Sequence, residues 1–189
     1  LIIKGETYNE DLKKRLLILL NMNKIVNHLF TAIRFDNTKE LVPIFDKEKP
    51  IKSTSNMMTW YSSKPCELNK KSHISHTIFD STWEATEAFE LDRNENIDSW
   101  VKNDHLNFFV NYVFNGVIHK YYPDFLIKLK NEKMLVLEIK GKDDQKNKTK
   151  REYFKEWVEA VNNDGRFGKW EFDVSFRTAD IKDIIKKHS

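Results

Sequence analysis

Two carboxylates and a lysine interrupt an apolar stretch, YYPDFLIKLKNEKMLVLEIKG, that covers residues 121–141. Glu138 and Lys140 are two positions apart, so in a β-strand their side chains point to the same face. A turn centred on Asn131 would make this stretch a β-hairpin. Asp124 and Glu138 each lie seven residues from Asn131, so antiparallel pairing predicts that the two carboxylates face each other, with the lysine beside them.

Neighbouring carboxylates of this kind indicate a particular chemistry. They repel each other and raise each other's pKa unless a cation lies between them. Mg²⁺ takes oxygen ligands, often one or two carboxylates with water and substrate phosphate oxygens, and Mn²⁺ accepts the same ligands. Such an ion lowers the pKa of a bound water, and Lys140 would orient that water or stabilise charge on a phosphodiester. We therefore expect phosphodiester hydrolysis, against the alternative of a solvated ion pair between Glu138 and Lys140 on an exposed strand face.

Hydrophobic periodicity and turn residues predict the elements that must position these side chains. A helix is expected over residues 9–35, with a break near residues 21–23, and residues 37–78 have the composition of loops with short strands. The remaining predicted elements are a helix over Asp80–Asp92, strands over Leu106–Phe114, Ile118–Leu129 and Met134–Lys140, a helix over Thr149–Asn162, a strand over Trp170–Phe176 and a helix over Ala179–Lys187. This order, helix-strand-strand-strand-helix-strand-helix, predicts an α/β (α+β) fold in which a mixed β-sheet is flanked by helices.

The composition limits the class of protein. The 189 residues carry a formal net charge of +3, which permits nucleic-acid binding, and the single cysteine, Cys66, excludes a disulfide framework and a cysteine-based zinc site. No apolar run reaches the roughly 18 to 20 residues of a membrane span, so we expect a cytoplasmic protein without membrane contact. Because the chain starts at Leu1, we expect a fragment, with a helix and loop extension from an upstream domain over residues 1–75 and the functional domain over residues 76–189.

The order of the motifs resembles a known superfamily. Pro123-Asp124 followed by Glu138-Ile139-Lys140 on adjacent strands is similar to the PD-(D/E)xK nucleases. The segments SHISHTIFDSTWE, WVKND, YYPDF, LEIKGKDD and KREYFKEWVEAVN follow one another, within roughly residues 53–176, as in the C-terminal endonuclease region of type III restriction enzyme large subunits. The resemblance implies a restriction-endonuclease-like core and a Mg²⁺-dependent endonuclease that cuts double-stranded DNA.

The resemblance also implies partners. In such enzymes the nuclease follows a helicase-type ATPase motor, and only that motor uses ATP. This chain has no G-x-x-x-x-G-K-[ST] phosphate loop, so the motor would belong to the full-length chain. A methyltransferase subunit would recognise the DNA site, and two nuclease domains would pair to cut both strands.

Four residues match the functional positions of the superfamily. Asp124 and Glu138 resemble its two metal-ligand carboxylates, and Lys140 resembles its catalytic lysine. Glu84 matches an additional acid, a metal ligand or water-holder, from the helix before the first strand. Glu87, one turn further, is a second candidate for this helix carboxylate.

Glu84 has an alternative explanation. Ser81 and Glu84 form the S-x-x-E pattern of a capping box, in which the glutamate only closes the start of a helix. The sequence pattern leaves both roles open.

The loop and helix after Lys140 are rich in lysine. Lys142, Lys148 and Lys150 are candidates for DNA-phosphate contacts, since neutralised phosphates supply most non-specific affinity for DNA. The alternative is a solvated charged loop. Trp60 and Tyr61, in a polar loop further upstream, are placed where aromatic side chains can contact a partner.

Two other functions fit the same residues. One is a free-standing resolvase-like or repair nuclease with the same core. The other is a non-catalytic module that retains the nuclease fold and binds DNA or a subunit, although the presence of Asp124, Glu138 and Lys140 together argues against it.

Overall fold

The structure is a computed structural model that describes residues 11–36, 48, 53–79, 81–141 and 144–189. Its regular elements are the helices α1 (Asp11–Leu20), α2 (Met22–Asp36), α3 (Thr82–Arg93), α4 (Gln145–Asp164) and α5 (Asp180–His188), and the strands β1 (Cys66–Leu68), β2 (His76–Ile78), β3 (Ile97–Lys102), β4 (Val110–Phe114), β5 (Val117–Tyr121), β6 (Phe125–Leu129), β7 (Met134–Ile139) and β8 (Trp170–Ser175). The chain therefore has the mixed α and β content that the sequence predicts.

A four-stranded sheet in the order β3-β6-β7-β8 forms the centre of the domain. Strands β3, β6 and β7 are antiparallel neighbours, whereas β7 and β8 run parallel. Helix α4 connects these two parallel strands, as a parallel crossover requires. The predicted mixed sheet is confirmed.

The two faces of the sheet carry separate apolar clusters. Leu135 and Leu137 of β7 belong to the cluster that also contains residues of α3 and α5, and Val136 belongs to the cluster with Phe154 of α4 and residues of β4 and β5. Strand parity explains this division, because alternate side chains face opposite ways. Glu138 has the parity of Val136, so its side chain starts from the α4 face of the sheet.

Helix α4 covers the second face with aromatic side chains. Phe154 is fully buried, and its ring lies 4.6 Å from the ring of Phe172 and 5.6 Å from that of Tyr121. The helix begins at Gln145, four residues before the predicted start, because the Asp144 side chain accepts a hydrogen bond from the Asn147 N–H at 2.7 Å.

One predicted strand is wrong. The strand expected over residues 118–129 is two strands, β5 and β6, which belong to different sheets. Pro123 lies between them and has no N–H to donate to a ladder, so the chain leaves one sheet there and enters the other. The break places Asp124 directly before β6.

Of the two strands that pair with β6, one was not predicted. It is β3, and the strand expected over residues 106–114 begins only at Val110, because His105 and Asn107 have positive φ values of 61° and 57°. The predicted hairpin turn at Asn115-Gly116 is confirmed between β4 and β5, with positive φ at both residues.

The N-terminal helical segment is divided at Asn21, within the predicted break. Its two helices are bent by 73° from each other. Within the described ranges, no single helix is long and apolar enough to cross a membrane, whereas α1 together with Met22–Ile33 meets that test as a bent pair.

The β1–β2 hairpin lies on both sides of the boundary predicted between residues 75 and 76. The loop between its strands joins the main sheet, since Ser72 bridges Trp100 and the His73 N–H donates to the Trp100 carbonyl at 3.0 Å. Residues 71–73 of this loop are therefore tied to β3 by backbone hydrogen bonds.

Phe154→Ala should destabilise the protein by about 3–5 kcal/mol, because a fully buried phenylalanine leaves a cavity when truncated. Phe176, which is 40% exposed, is the matched control, and Phe176→Ala should cost less than about 1 kcal/mol. Urea unfolding at equilibrium measures both values, and equal losses would contradict the assigned core.

Candidate active site

The register of β6 and β7 brings the two predicted carboxylates together. Phe125 pairs with Leu137, and continuing this register by one residue places Asp124 opposite Glu138. The Ile139 N–H also donates a hydrogen bond to Asp124 Oδ2 at 2.7 Å. The pairing predicted from the turn at Asn131 is therefore the pairing in the structure.

Glu138 is a buried carboxylate with an unsatisfied oxygen. It is 3% exposed, and its Oε1 lies 2.8 Å from Lys140 Nζ. Its Oε2 and the buried hydroxyl of Tyr121 each find no hydrogen-bond partner among the described residues. The two groups are close without meeting hydrogen-bond geometry. Burial and the adjacent Glu138 raise the pKa of Tyr121, so the phenol remains protonated.

Asp124 experiences the charge of both neighbouring acids. Burial, and after it the Glu138 and Glu84 carboxylates, together raise its pKa to about 7 against the lowering effects of the Ile139 N–H and Lys140. Three negative groups thus influence one another at this end of the sheet. A bound cation would remove the penalty of ionising Asp124.

Lys140 lies just beyond the end of β7, where its N–H donates to the Ser175 carbonyl at 2.9 Å. Its side chain is 25% exposed. Burial alone would lower the pKa of Lys140, but the hydrogen bond and charge of Glu138 outweigh it and raise the pKa. Lys140 is therefore a cation that is both attached to the carboxylate pair and accessible from solvent.

Glu84 belongs to a second ionic cluster, which it forms with Lys102 of β3 and Asp104. The Ser81 side chain caps α3 by accepting from the Glu84 N–H at 3.2 Å, which confirms the predicted N-cap. The Glu84 carboxylate lies 2.8 Å from Nζ of Lys102, and that ammonium also contacts Asp104 Oδ2 and the Ile78 carbonyl, each at 3.0 Å. The helix carboxylate is thus directed to β3 as well as lying within electrostatic reach of Asp124.

Glu87 has a different environment from Glu84. It is fully buried and accepts a hydrogen bond from Ser175 Oγ at 2.9 Å. Burial, with smaller contributions from Asp180 and Glu84, raises the pKa of Glu87 to about 7 against the lowering effect of the Ser175 hydrogen bond. It therefore joins α3 to the end of β8, and Glu84 is the α3 carboxylate whose charge acts on Asp124.

The carboxylate oxygens of Asp124 and Glu138 are a small protein ligand set of the kind with which Mg²⁺ sites are built. Over residues 11–36, 48, 53–79, 81–141 and 144–189, no group of three or more His, Cys, Asp or Glu side chains is placed to hold a metal ion. Mg²⁺ needs only one or two carboxylates when water and phosphate oxygens complete its octahedron. Asp124 and Glu138 supply two, and the unsatisfied Glu138 Oε2 is an oxygen that such an ion would satisfy.

Two of the three predicted DNA-contacting lysines, Lys148 and Lys150, lie in the first two turns of α4. Lys142 lies outside the described residues. Lys148 is exposed in the first turn of the helix, and Lys150 is half-buried with its Nζ 5.4 Å from the centre of the Tyr121 ring. Burial and Lys140 lower the pKa of Lys150, so added negative charge, such as a phosphate, would be favourable there.

Lys102 and Tyr121 had no role assigned from the sequence. Lys102 shares the strand parity of Trp100, a core residue, so a lysine at this position must be buried and needs acidic partners. This argument can be made from the sequence only when residues 97–102 are predicted to be a strand. Tyr121 carried no comparable signal, since its neighbour Glu138 is 17 residues away in sequence.

Comparison of the chain with protein-family models, with curated proteins and with solved structures gave no match.

The raised pKa of Asp124 predicts how the stability of the metal-free protein changes with pH. The folded protein holds this proton more tightly than the unfolded chain, so Asp124 lowers the free energy of unfolding as pH rises from about 4 to about 7. Asp124→Asn removes that cost and should be more stable than the parent at pH 8, on the order of 2 kcal/mol. The difference should shrink towards pH 5, where the parent Asp124 is protonated.

Thermal unfolding in EDTA at several pH values measures this difference. Asp98→Asn, at an exposed aspartate of β3, is the control and should show no such dependence. A parent that is more stable than Asp124→Asn at pH 8 would contradict the assigned cost of ionising Asp124 in the folded protein.

Proposed function

We propose that this chain is a metal-dependent nuclease domain that hydrolyses DNA phosphodiester bonds, of the PD-(D/E)xK type found in type III restriction enzyme large subunits. The observation that carries the proposal is the pair of Asp124 and Glu138 at one end of the sheet, with Glu138 Oε2 buried and unsatisfied and Lys140 Nζ 2.8 Å from Glu138 Oε1. Two carboxylates that can hold a metal ion and a lysine beside them are groups suited to the hydrolysis of a phosphodiester bond.

Each residue has a distinct part in the reaction. Asp124 and Glu138 would hold Mg²⁺, or Mn²⁺ in its place, which supplies a water of lowered pKa and neutralises charge on the phosphate. Lys140, held by Glu138 and open to solvent, would orient the attacking water and stabilise the additional negative charge as the water oxygen bonds to phosphorus and a P–O ester bond breaks.

The surroundings support these roles. Glu84 adds negative charge to the site and would hold a metal-bound water or the metal itself, while Lys102 fixes its carboxylate. Lys148 and Lys150 would approach phosphates from the α4 side, and Lys142 is a third candidate from the sequence. A restriction-endonuclease-like core is consistent with the mixed sheet β3-β6-β7-β8 between α3 and α4.

The partners follow from the sequence resemblance. Double-stranded DNA would be the substrate, a methyltransferase subunit would recognise the site, and an upstream motor domain would use ATP. Pairing of two domains would cut both strands. A free-standing nuclease would instead cut DNA without ATP or a subunit, so cleavage by this chain alone separates the two assignments.

One observation favours a second candidate, a non-catalytic DNA-docking module. Lys140 and Lys102 already neutralise Glu138 and Glu84, and ion pairs of this kind stabilise acids without a metal. The two functions differ in their need for a divalent cation.

Metal binding provides the first test. Mg²⁺ at about 100 times its dissociation constant should stabilise the parent by about 2.7 kcal/mol. Asp124→Asn and Glu138→Gln should abolish that gain and the corresponding calorimetric signal. Glu87→Gln is the matched control, because Glu87 is also a buried acid with a pKa raised to about 7, and it should keep the response. Equal responses of all four proteins would contradict the proposal.

DNA cleavage provides the second test. In the assembled enzyme with Mg²⁺, Asp124→Asn, Glu138→Gln and Lys140→Ala should each reduce the cleavage rate by at least about 100-fold. Lys128→Ala is the control for Lys140, since Lys128 extends from β6 and is paired with Glu132 at 3.0 Å near the opposite end of the hairpin. Parental rates in the three site variants would refute catalysis at this site.

A further inference from the structure

A cavity of about 290 Å³ lies between the β1–β2 hairpin and the segment that precedes it. Its volume is close to the lower end, about 300 Å³, of ligand pockets in proteins. The cavity is lined by Thr59, Trp60, Ser62, Lys64, Cys66, Ser75, His76 and Ile78. None of these residues belongs to the carboxylate site described above.

Two contacts connect this cavity to the candidate active site. The carbonyl of Ile78, a lining residue, accepts a hydrogen bond from Lys102 Nζ at 3.0 Å, and the same ammonium holds Glu84 at 2.8 Å. On the other wall, Trp60 stacks on His105, with ring centres 4.4 Å apart. His105 follows Asp104, a third partner of Lys102. The cavity is therefore immediately beside the second ionic cluster.

The lining has the chemistry of a nucleotide site. Trp60 is half-buried, and its stacking on His105 holds the indole in place as a platform. Lys64 and His76 are exposed, and the lining hydroxyls can donate to phosphate and sugar oxygens. Proteins bind single-stranded nucleic acid with this combination of an aromatic platform and a basic groove, because every base has a π-face and every phosphate a charge.

The neighbouring side chains extend the same surface. Tyr61 is 96% exposed and Met58 is 85% exposed, in the segment that forms one wall. Both side chains belong to the segment that supplies Thr59, Trp60 and Ser62 to the lining, so they add exposed apolar surface next to the cavity.

We propose that this cavity binds one nucleotide of the cut DNA strand, next to the bond that is cut and unpaired from the other strand, with the base against Trp60 and the phosphate at Lys64. The proposal rests on the nuclease function proposed above and adds a strand-binding subsite to it. Lys102 would couple the cavity to the candidate active site, because it is bonded both to the Ile78 carbonyl in the cavity wall and to Glu84.

The test is the affinity of the chain for a short fluorescent single-stranded oligonucleotide, measured by anisotropy in Ca²⁺, a cation that prefers oxygen ligands. Trp60→Ala should weaken binding roughly 5- to 150-fold, the range that a base stacked on an aromatic ring supplies. Trp60→Phe should keep most of the affinity. Lys64→Ala should weaken binding and reduce its salt dependence by about one phosphate contact.

Matched controls lie outside the cavity. Phe89→Ala removes a partly exposed aromatic from α3, and Lys130→Ala removes an exposed lysine after β6. Neither should change the affinity. The exposed Lys64 keeps the test valid even if Trp60→Ala fails to fold, which its circular dichroism would reveal.

The outcomes separate the subsite from the active site. If all variants bind DNA like the parent, the subsite is refuted, and the metal response of Asp124 and Glu138 stands by itself. If the parent binds a mononucleotide through Trp60 but not the oligonucleotide, a strand-binding role is refuted. If the parent binds neither DNA nor Mg²⁺, both the subsite and the nuclease function are refuted.

Discussion

The repulsion between two carboxylates held at one end of a β-sheet is the constraint on which this structure depends. Backbone pairing of β6 and β7 fixes Asp124 and Glu138 opposite each other, and burial prevents water from screening their charges. The structure offers partial relief through Lys140 on Glu138 and Lys102 on Glu84. Asp124 has no cationic side chain as hydrogen-bond partner in the described structure, and burial, followed by the charge of Glu138, raises its pKa.

The rest of the domain holds this arrangement in place. Apolar clusters on both faces of the sheet fix the strands, so the carboxylates cannot separate without loss of the core. Glu87 and Ser175 join α3 to the end of β8, beside the Lys140 backbone. Such pre-organised repulsion is unfavourable for stability but suits the capture of a cation, because the free energy lost in folding is recovered on binding.

Local patterns were sufficient to predict much of this arrangement. The turn at Asn131 determined the β6–β7 register, the Asn115-Gly116 pair determined a hairpin, and Ser81 determined the start of α3. The pairing of β3 with β6 could not be predicted from local patterns. Strand β3 contains Asp98 and Ser99 and ends at a lysine, so its sequence does not show the alternation of a half-buried strand. Only Asp104 among the partners of Lys102 is close to it in sequence, since Glu84 and Ile78 are 18 and 24 residues away.

The central claim is that Asp124 and Glu138 bind one divalent cation between them. A crystal soaked in Mn²⁺ and measured for anomalous scattering tests it most directly. We predict a strong anomalous peak within coordination distance of an oxygen of each carboxylate, and its loss in Asp124→Asn. A well-ordered site in which Glu138 is still bonded to Lys140, with no peak beside Asp124, would contradict the claim.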